Sequence, residues 1–308
     1  MKNLEDFLRP SQKQLFKRLC KKFKGKTLIS KGNFILVKGV APVMLVAHLD
    51  TVHEQSVRDI CLSADGNIIM SPQGIGGDDR CGVFALVKIH QLSKIKPWLL
   101  FTCEEEVGGL GAKKFCLAHS QHQLPNELDN LKFLIELDRK GSRDAVYYRC
   151  ANPDFEEYIT SKGFKTAQGS FSDISLIAPE LGIAAVNLSS GYYSPHTLHE
   201  YIVRSELEST IEKVSEMVSD AAKPDFPKFV YVENFIKPYH SKKIRYYDDL
   251  ATFYTEQDNL PQKIPSEYQD IYEALLDVYS LKELESFRAE YGDQILWQIY
   301  SDEIAPYY

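Results

Sequence analysis

The chain has 308 residues, 44% of them hydrophobic and 26% charged, enough apolar material for one substantial buried core and a smaller appendage. Lys and Arg total 36 against 43 Asp and Glu, a formal charge of -7, so the balance gives no reason to expect nucleic acid or an anionic membrane as partner. The opening MKNLEDFLRP has no apolar signal core and no stretch approaches the roughly 18 apolar residues of a membrane span, so a cytoplasmic protein is expected.

In chain order, the hydrophobic periods predict a helix over Gln12 to Lys24, strands over Phe34 to Lys38 and Val43 to His48, and a helix over Cys81 to Leu92. A strand over Trp98 to Thr102 and a helix over Gly111 to Ala118 follow. Then come strands over Lys132 to Leu137, Ala145 to Tyr148 and Ile183 to Leu188, and a helix over Ser205 to Ser219 that opens on Ser205 and Glu208 as a capping box. Strands alternating with helices mean an α/β fold, a three-layer sandwich with a mostly parallel central sheet flanked by helices, over residues 1–222. From Lys223 to Pro265 the texture turns to Pro, Lys and Tyr without period, a connecting segment. Two capped helices, begun by Ser266 with Gln269 and by Ser280 with Glu283, then form a small C-terminal helical appendage, so that 223–308 is a second region and a candidate for homo-oligomerisation. Cys20, Cys61, Cys81, Cys103, Cys116 and Cys150 are widely spaced and form no CxxC pair, which suggests reduced thiols rather than a disulfide framework or a zinc knuckle.

The run Glu104-Glu105-Glu106 directly follows the apolar Trp98-Leu99-Leu100-Phe101. An isolated acidic triplet is usually a solvated loop or a helix start. A run as apolar as WLLF, however, reads as a strand buried on both faces, and in open parallel sheets ligands sit just beyond the carboxyl ends of the strands. Partial burial and mutual repulsion in that place call for a metal or a catalytic task. Other such residues also stand where strands end: His48 and Asp50 in MLVAHLDTV, Asp78 and Asp79 in QGIGGDDRCG, Asp138 in KFLIELDRKG, and His196, His199 and Glu200 in YYSPHTLHEYI. Each alone has an ordinary reading as a turn or a cap. Together, imidazoles and carboxylates are the ligand set zinc uses, and five such groups can hold two ions with one bridging carboxylate.

In order and content these motifs resemble the co-catalytic dizinc exopeptidases, the clan of peptidase T and the glutamyl and leucyl aminopeptidases. AHLDTV resembles the clan's HxD, GGDDRCG its DDxxG, FTCEEEVGGLGA its EExGxxGA, IELDRKG its strand-end Asp, and SPHTLHE its closing histidine with a glutamate four residues later. The resemblance implies that His48 and Asp138 hold one zinc, Glu106 and His196 the other, and Asp78 bridges them. It further implies that Asp50 orients His48 and that Glu105 is the general base, two Zn2+ being the cofactor with Co2+ or Mn2+ able to take the same ligands. His199 competes with His196 and Asp79 with Asp78; the family pattern favours His196 and Asp78. His53, His90, His119, His122 and His240 read as ordinary surface or core histidines.

The stretch between Asp138 and His196 is too short for the lid domain that many dimetal carboxypeptidases and dipeptidases of this clan insert there, which tilts the reading to an aminopeptidase acting on peptides. A carboxypeptidase or dipeptidase, or an amidohydrolase removing an acyl group from an amino acid on the same site, is the alternative. A binding or scaffold module without activity is the alternative of another class, and an unliganded Glu105 beside two metal sites argues against it.

Overall fold

The computed structural model describes residues 3–30, 33–169 and 171–233, and in the C-terminal part 271, 272, 275, 284, 288, 292 and 294–300. The chain divides into two compact units, Met1–Asn234 and Phe235–Tyr308. The first contains, in order, α1 (Glu5–Leu8), α2 (Gln12–Lys22), β1 (Thr27–Ser30), β2 (Phe34–Val37), β3 (Ala41–His48), β4 (Cys61–Leu62), β5 (Ile68–Met70), α3 (Gly77–Leu92), β6 (Pro97–Thr102), α4 (Leu110–Ser120), β7 (Phe133–Arg139), β8 (Asp144–Val146), α5 (Pro153–Ser161), β9 (Lys165–Ala167), α6 (Ile174–Leu181), β10 (Ala185–Ser189), β11 (Tyr192–Tyr193), β12 (Tyr201–Val203) and α7 (Arg204–Ala221). In the second unit the described residues include a helix, Gln294–Ile299, with Leu296 buried. The helix starts expected at Ser266 and Ser280 lie outside the described residues.

Eight strands form the main sheet in the order β1-β2-β6-β3-β7-β10-β8-β9. Its centre, β6-β3-β7-β10, is parallel, while β2 and β8 join it antiparallel. Because successive side chains of a strand point to opposite faces, the buried residues of β3 separate into two sets. Val43, Leu45 and Ala47 join the core under α3 and α7, and Met44 and Val46 join the core under α4 and α6. All six residues of β6 are buried, as the WLLF run predicts for a strand covered on both faces.

Two expectations change. The Ser205 and Glu208 capping box is not formed: α7 begins at Arg204, and the neighbouring hairpin supplies the partners, the Asn67 carbonyl accepting from Arg204 N at 2.8 Å and Asn67 Oδ1 from Ser205 N at 2.9 Å. Residues 223–233, read as the start of the connecting segment, belong to the first unit. Val230 bridges Ile183, Phe229 N donates to the Lys132 carbonyl at 2.9 Å, and Phe226 and Phe229 stack around Phe133, Phe155 and Tyr158. A second antiparallel sheet, β11-β12-β5-β4, has strands of two or three residues, too short to stand out from periodicity. It carries the loop between β11 and β12, on which His196 sits.

Candidate metal centre

The carboxyl ends of three adjacent parallel strands supply most of the site. β3 ends in His48, β6 runs into Glu105 and Glu106, and β7 presents Asp138. Asp78 comes from the glycine-rich entry to α3, where it and Asp79 leave helical dihedrals, and His196 comes from the β11–β12 loop with φ 63°. His48 Nε2 lies 3.2 Å from Asp78 Oδ1 and 3.4 Å from Asp138 Oδ1. His196 Nε2 lies 3.3 Å from Asp78 Oδ2 and 3.2 Å from Glu106 Oε2. Two ligand groups result, His48 with Asp78 and Asp138, and Asp78 with Glu106 and His196, each with donor atoms within 4.8 Å of one another. Glu105 approaches His48 and Glu106 in a third such group. His199 stands in none of them; it is exposed, and its N–H donates to Thr197 Oγ1 at 3.1 Å.

A ring of side chains grips the backbone beneath these ligands. Asp50 accepts from Glu105 N at 3.2 Å and from Glu106 N at 3.1 Å, so one carboxylate holds the backbone of both glutamates, and its Oδ1 lies 3.5 Å from His48 Nδ1. Asp79, fully buried, accepts from His48 N at 3.3 Å and from Gly82 N at 2.9 Å. Those bonds turn its carboxylate towards the backbone and leave Asp78 as the aspartate between the histidines. Asp138 lies at a bulge, where β7 spends one more residue than β10 between the pairs Asn187↔Glu136 and Ser189↔Arg139. Bulges re-aim side chains and free backbone groups from the ladder. Asn187 takes up both of those groups: its Oδ1 accepts from Asp138 N at 2.9 Å and its Nδ2 donates to the Asp138 carbonyl at 2.9 Å. Tyr192 adds a hydroxyl 3.3 Å from Asp138 Oδ1.

Three residues at or beside the site had no task assigned from the sequence. Asn187 sits in an apolar strand, where only its polarity marks it. Glu200 was noted as part of a motif but without a task, and His53, read as ordinary, lies with Nε2 2.8 Å from Glu200 Oε2.

The electrostatics follow from crowding carboxylates in a buried place. Burial, then the Asp78 charge, push Asp138 up to about 7. At Asp78 burial acts the same way, but the bonds with His196 and His48 outweigh it and hold the carboxyl well below its usual range. Bonds to Asp78 and Glu106 raise His196 to about 11. Burial opposes charge on His48, yet Asp138 and its other acidic partners raise it well above the ordinary histidine value. Burial, reinforced by Asp138 and its acidic neighbours against the attraction of His48, raises Glu105 well above the usual carboxyl range. Dications held among these carboxylates would relieve the same repulsion. The donors suit zinc, two imidazole nitrogens with three carboxylates, and Glu106 Oε1 is buried with no hydrogen-bond partner, an unused donor beside His196.

The α/β fold is like that of the zinc exopeptidases, and the resemblance read from the motifs is borne out. Residues 37–176 match the model of peptidase family M28. Among solved structures, a tripeptidase from Staphylococcus aureus is similar at 16% identity and a TM-score of 0.55, covering 71% of this chain and 96% of its own. The aminopeptidase PepT from Bacillus cereus is similar at 15% identity and 0.53, covering 71% and 97%. An aminopeptidase from the archaeon Desulfurococcus kamchatkensis is similar at 14% and 0.53, covering 70% and 93%. At these identities the likeness establishes the fold. No curated protein matches the chain in sequence.

Proposed function

We propose that the chain is a two-metal aminopeptidase. In this reading His48 and Asp138 hold one zinc, Glu106 and His196 the other, Asp78 bridges them, Asp50 orients His48, and Glu105 is the general base. The observation that carries it is the placement of Asp78, whose two oxygens face different histidines, Oδ1 towards His48 Nε2 at 3.2 Å and Oδ2 towards His196 Nε2 at 3.3 Å. A carboxylate so flanked has the geometry of a bridge, and the same donor positions serve Co2+ or Mn2+.

Metal ions held by these residues would supply Lewis acidity, which polarises a scissile carbonyl and lowers the pKa of water from about 15.7 to about 7. Glu105, in reach of both ligand groups, then takes the proton of the attacking water and delivers it to the departing amine. Asp50 keeps Glu105 and Glu106 in fixed relation by binding both of their amides, so the proton carrier and the adjacent ligand do not drift apart. The amino-terminal specificity is supported by the short stretch between Asp138 and His196, which leaves no place for a lid that would bind a free carboxylate, and by the two aminopeptidases among its structural neighbours. The six cysteines are free, in keeping with a reducing, cytoplasmic setting.

A panel of short peptides with free, acetylated and amidated ends tests this. Release of the first residue from free and amidated peptides, with acetylated ones refused, is the expected outcome. Hydrolysis of acetylated substrates with loss of activity on amidated ones would instead indicate a carboxypeptidase or deacylase.

A further inference from the structure

Asp78 has to aim its two oxygens at two different histidines from a loop of sequence QGIGGDD, whose glycines give the backbone little intrinsic preference. The loop is held from one side by a single buried carboxylate. Glu200, 0% exposed, accepts from Gly76 N with Oε2 at 2.9 Å and from Asp78 N with Oε1 at 2.8 Å. His53 Nε2 sits 2.8 Å from Oε2.

The sequence around the loop is shaped to admit this carboxylate. Gly76 has φ 64°, a left-handed conformation that a side chain would strain. A Cβ at Gly77 would fall 2.7 Å from Tyr192 Cβ and 3.2 Å from Glu200 Oε1, so glycine there lets Tyr192 and, behind it, Glu200 pack close against the loop. A Cβ at Gly74 would fall 2.3 Å from His53 Nδ1, so the imidazole lies flush against the same loop. Glu200 stands at the far end of the β11–β12 loop from Ser194, four residues after His196. One short loop therefore supplies a candidate ligand, His196, and the group that fixes the candidate bridge.

We propose that Glu200 is a positioning residue that clamps the Asp78 loop through the Gly76 and Asp78 amides, with His53 as the anchor that holds the clamp. This rests on the two-metal reading of Asp78. Glu200 touches no ion; it acts through the backbone that carries the bridge. An isosteric Glu200→Gln replaces one acceptor oxygen with a donor, which meets an N–H, so one of the two amides loses its partner.

Two measurements test it. In metal-free protein, hydrogen exchange of the Gly76 and Asp78 amides reads the clamp directly; Glu200→Gln should speed it at least about tenfold, and His53→Leu, which leaves the carboxylate in place, should speed it less. Zinc affinity by chelator competition should weaken by about 10- to 100-fold in Glu200→Gln, the usual effect of removing a group that orients a ligand. The fall in peptide turnover should appear in kcat with KM near wild type. Unchanged amide exchange, or wild-type zinc affinity, in Glu200→Gln overturns the clamp. Should Glu200→Gln not fold, the same two readings on His53→Leu decide, with no change in either overturning it. Wild-type protein that binds zinc but leaves every peptide intact would overturn the peptidase reading while leaving the clamp standing.

Discussion

Replacing Asn187 with Leu should damage stability and metal binding together, because this one amide supports the bulge that aims Asp138. The side chain is 1% exposed, and it meets the Asp138 N–H and carbonyl at 2.9 Å each, with Tyr148 Oη 3.0 Å from its Nδ2. Leucine fills a similar volume but leaves both backbone groups of Asp138 without a partner, since the β7–β10 register slips at that point. A buried polar group left unmade costs about 1–3 kcal/mol, so two give roughly 2–6 kcal/mol. For a domain of this size about 2–4 °C of melting temperature accompanies each kcal/mol, which makes the expected drop on the order of 4–24 °C. The assay is a thermal melt of metal-free protein, paired with chelator competition on the loaded protein. A melt within about 2 °C of wild type together with unaltered zinc affinity would refute the account of the bulge.

Glu105→Gln should lower kcat by about 10²- to 10⁴-fold, the range for losing a general base, while elemental analysis finds the metal content unchanged; retention of full activity would remove Glu105 from the mechanism. His90, 8% exposed, is held down to about 4 by burial and then by Lys96. The unfolded chain, with an ordinary histidine near 6.5, therefore binds more protons between about pH 4 and 6.5, so stability falls as pH falls through that window, by on the order of 3 kcal/mol in all. In urea melts of metal-free protein, His90→Phe should show a flatter fall over that range than wild type, and parallel curves would contradict the assignment. A chain ending at residue 222 should be much less stable than one ending at 234, because it strips Phe226 and Phe229 from Phe133, which is fully buried; Phe-to-Ala losses in cores run about 3–5 kcal/mol, and equal melting temperatures would return 223–233 to the status of a linker.

The central sheet was legible because its strands are buried on both faces and so read as short apolar runs, WLLF and MLVAH among them. Strands of two or three residues, such as Tyr192–Tyr193 and Cys61–Leu62, carry too little pattern to be seen, and the hairpin sheet that delivers His196 was missed with them. Helix α5 was passed over although Asn152 caps it through Phe155 N at 3.0 Å and Pro153 opens it, a start signal that stood in the sequence. The aromatic texture of 223–233 looked like a linker because its packing partners, Phe133, Phe155 and Tyr158, are distant in sequence.

At the site, the acidic and histidine residues could be found because several strand ends carried them at once. Their gathering into two groups about Asp78 depends on the hairpin sheet, which periodicity does not reveal. The supports were harder to find for a different reason. Asn187 and Glu200 act on backbone groups of residues remote in sequence, and a hydrogen bond to an amide leaves no motif at either end.

The bridged two-metal centre stands or falls on metal stoichiometry. Protein purified without chelator and dialysed against trace zinc should hold close to two ions per chain by elemental analysis, and Asp78→Ala, which removes the carboxylate between His48 and His196, should lower that number while the fold persists by circular dichroism. Wild-type protein that retains no metal under these conditions, or Asp78→Ala that retains two ions, would contradict the bridged two-metal centre.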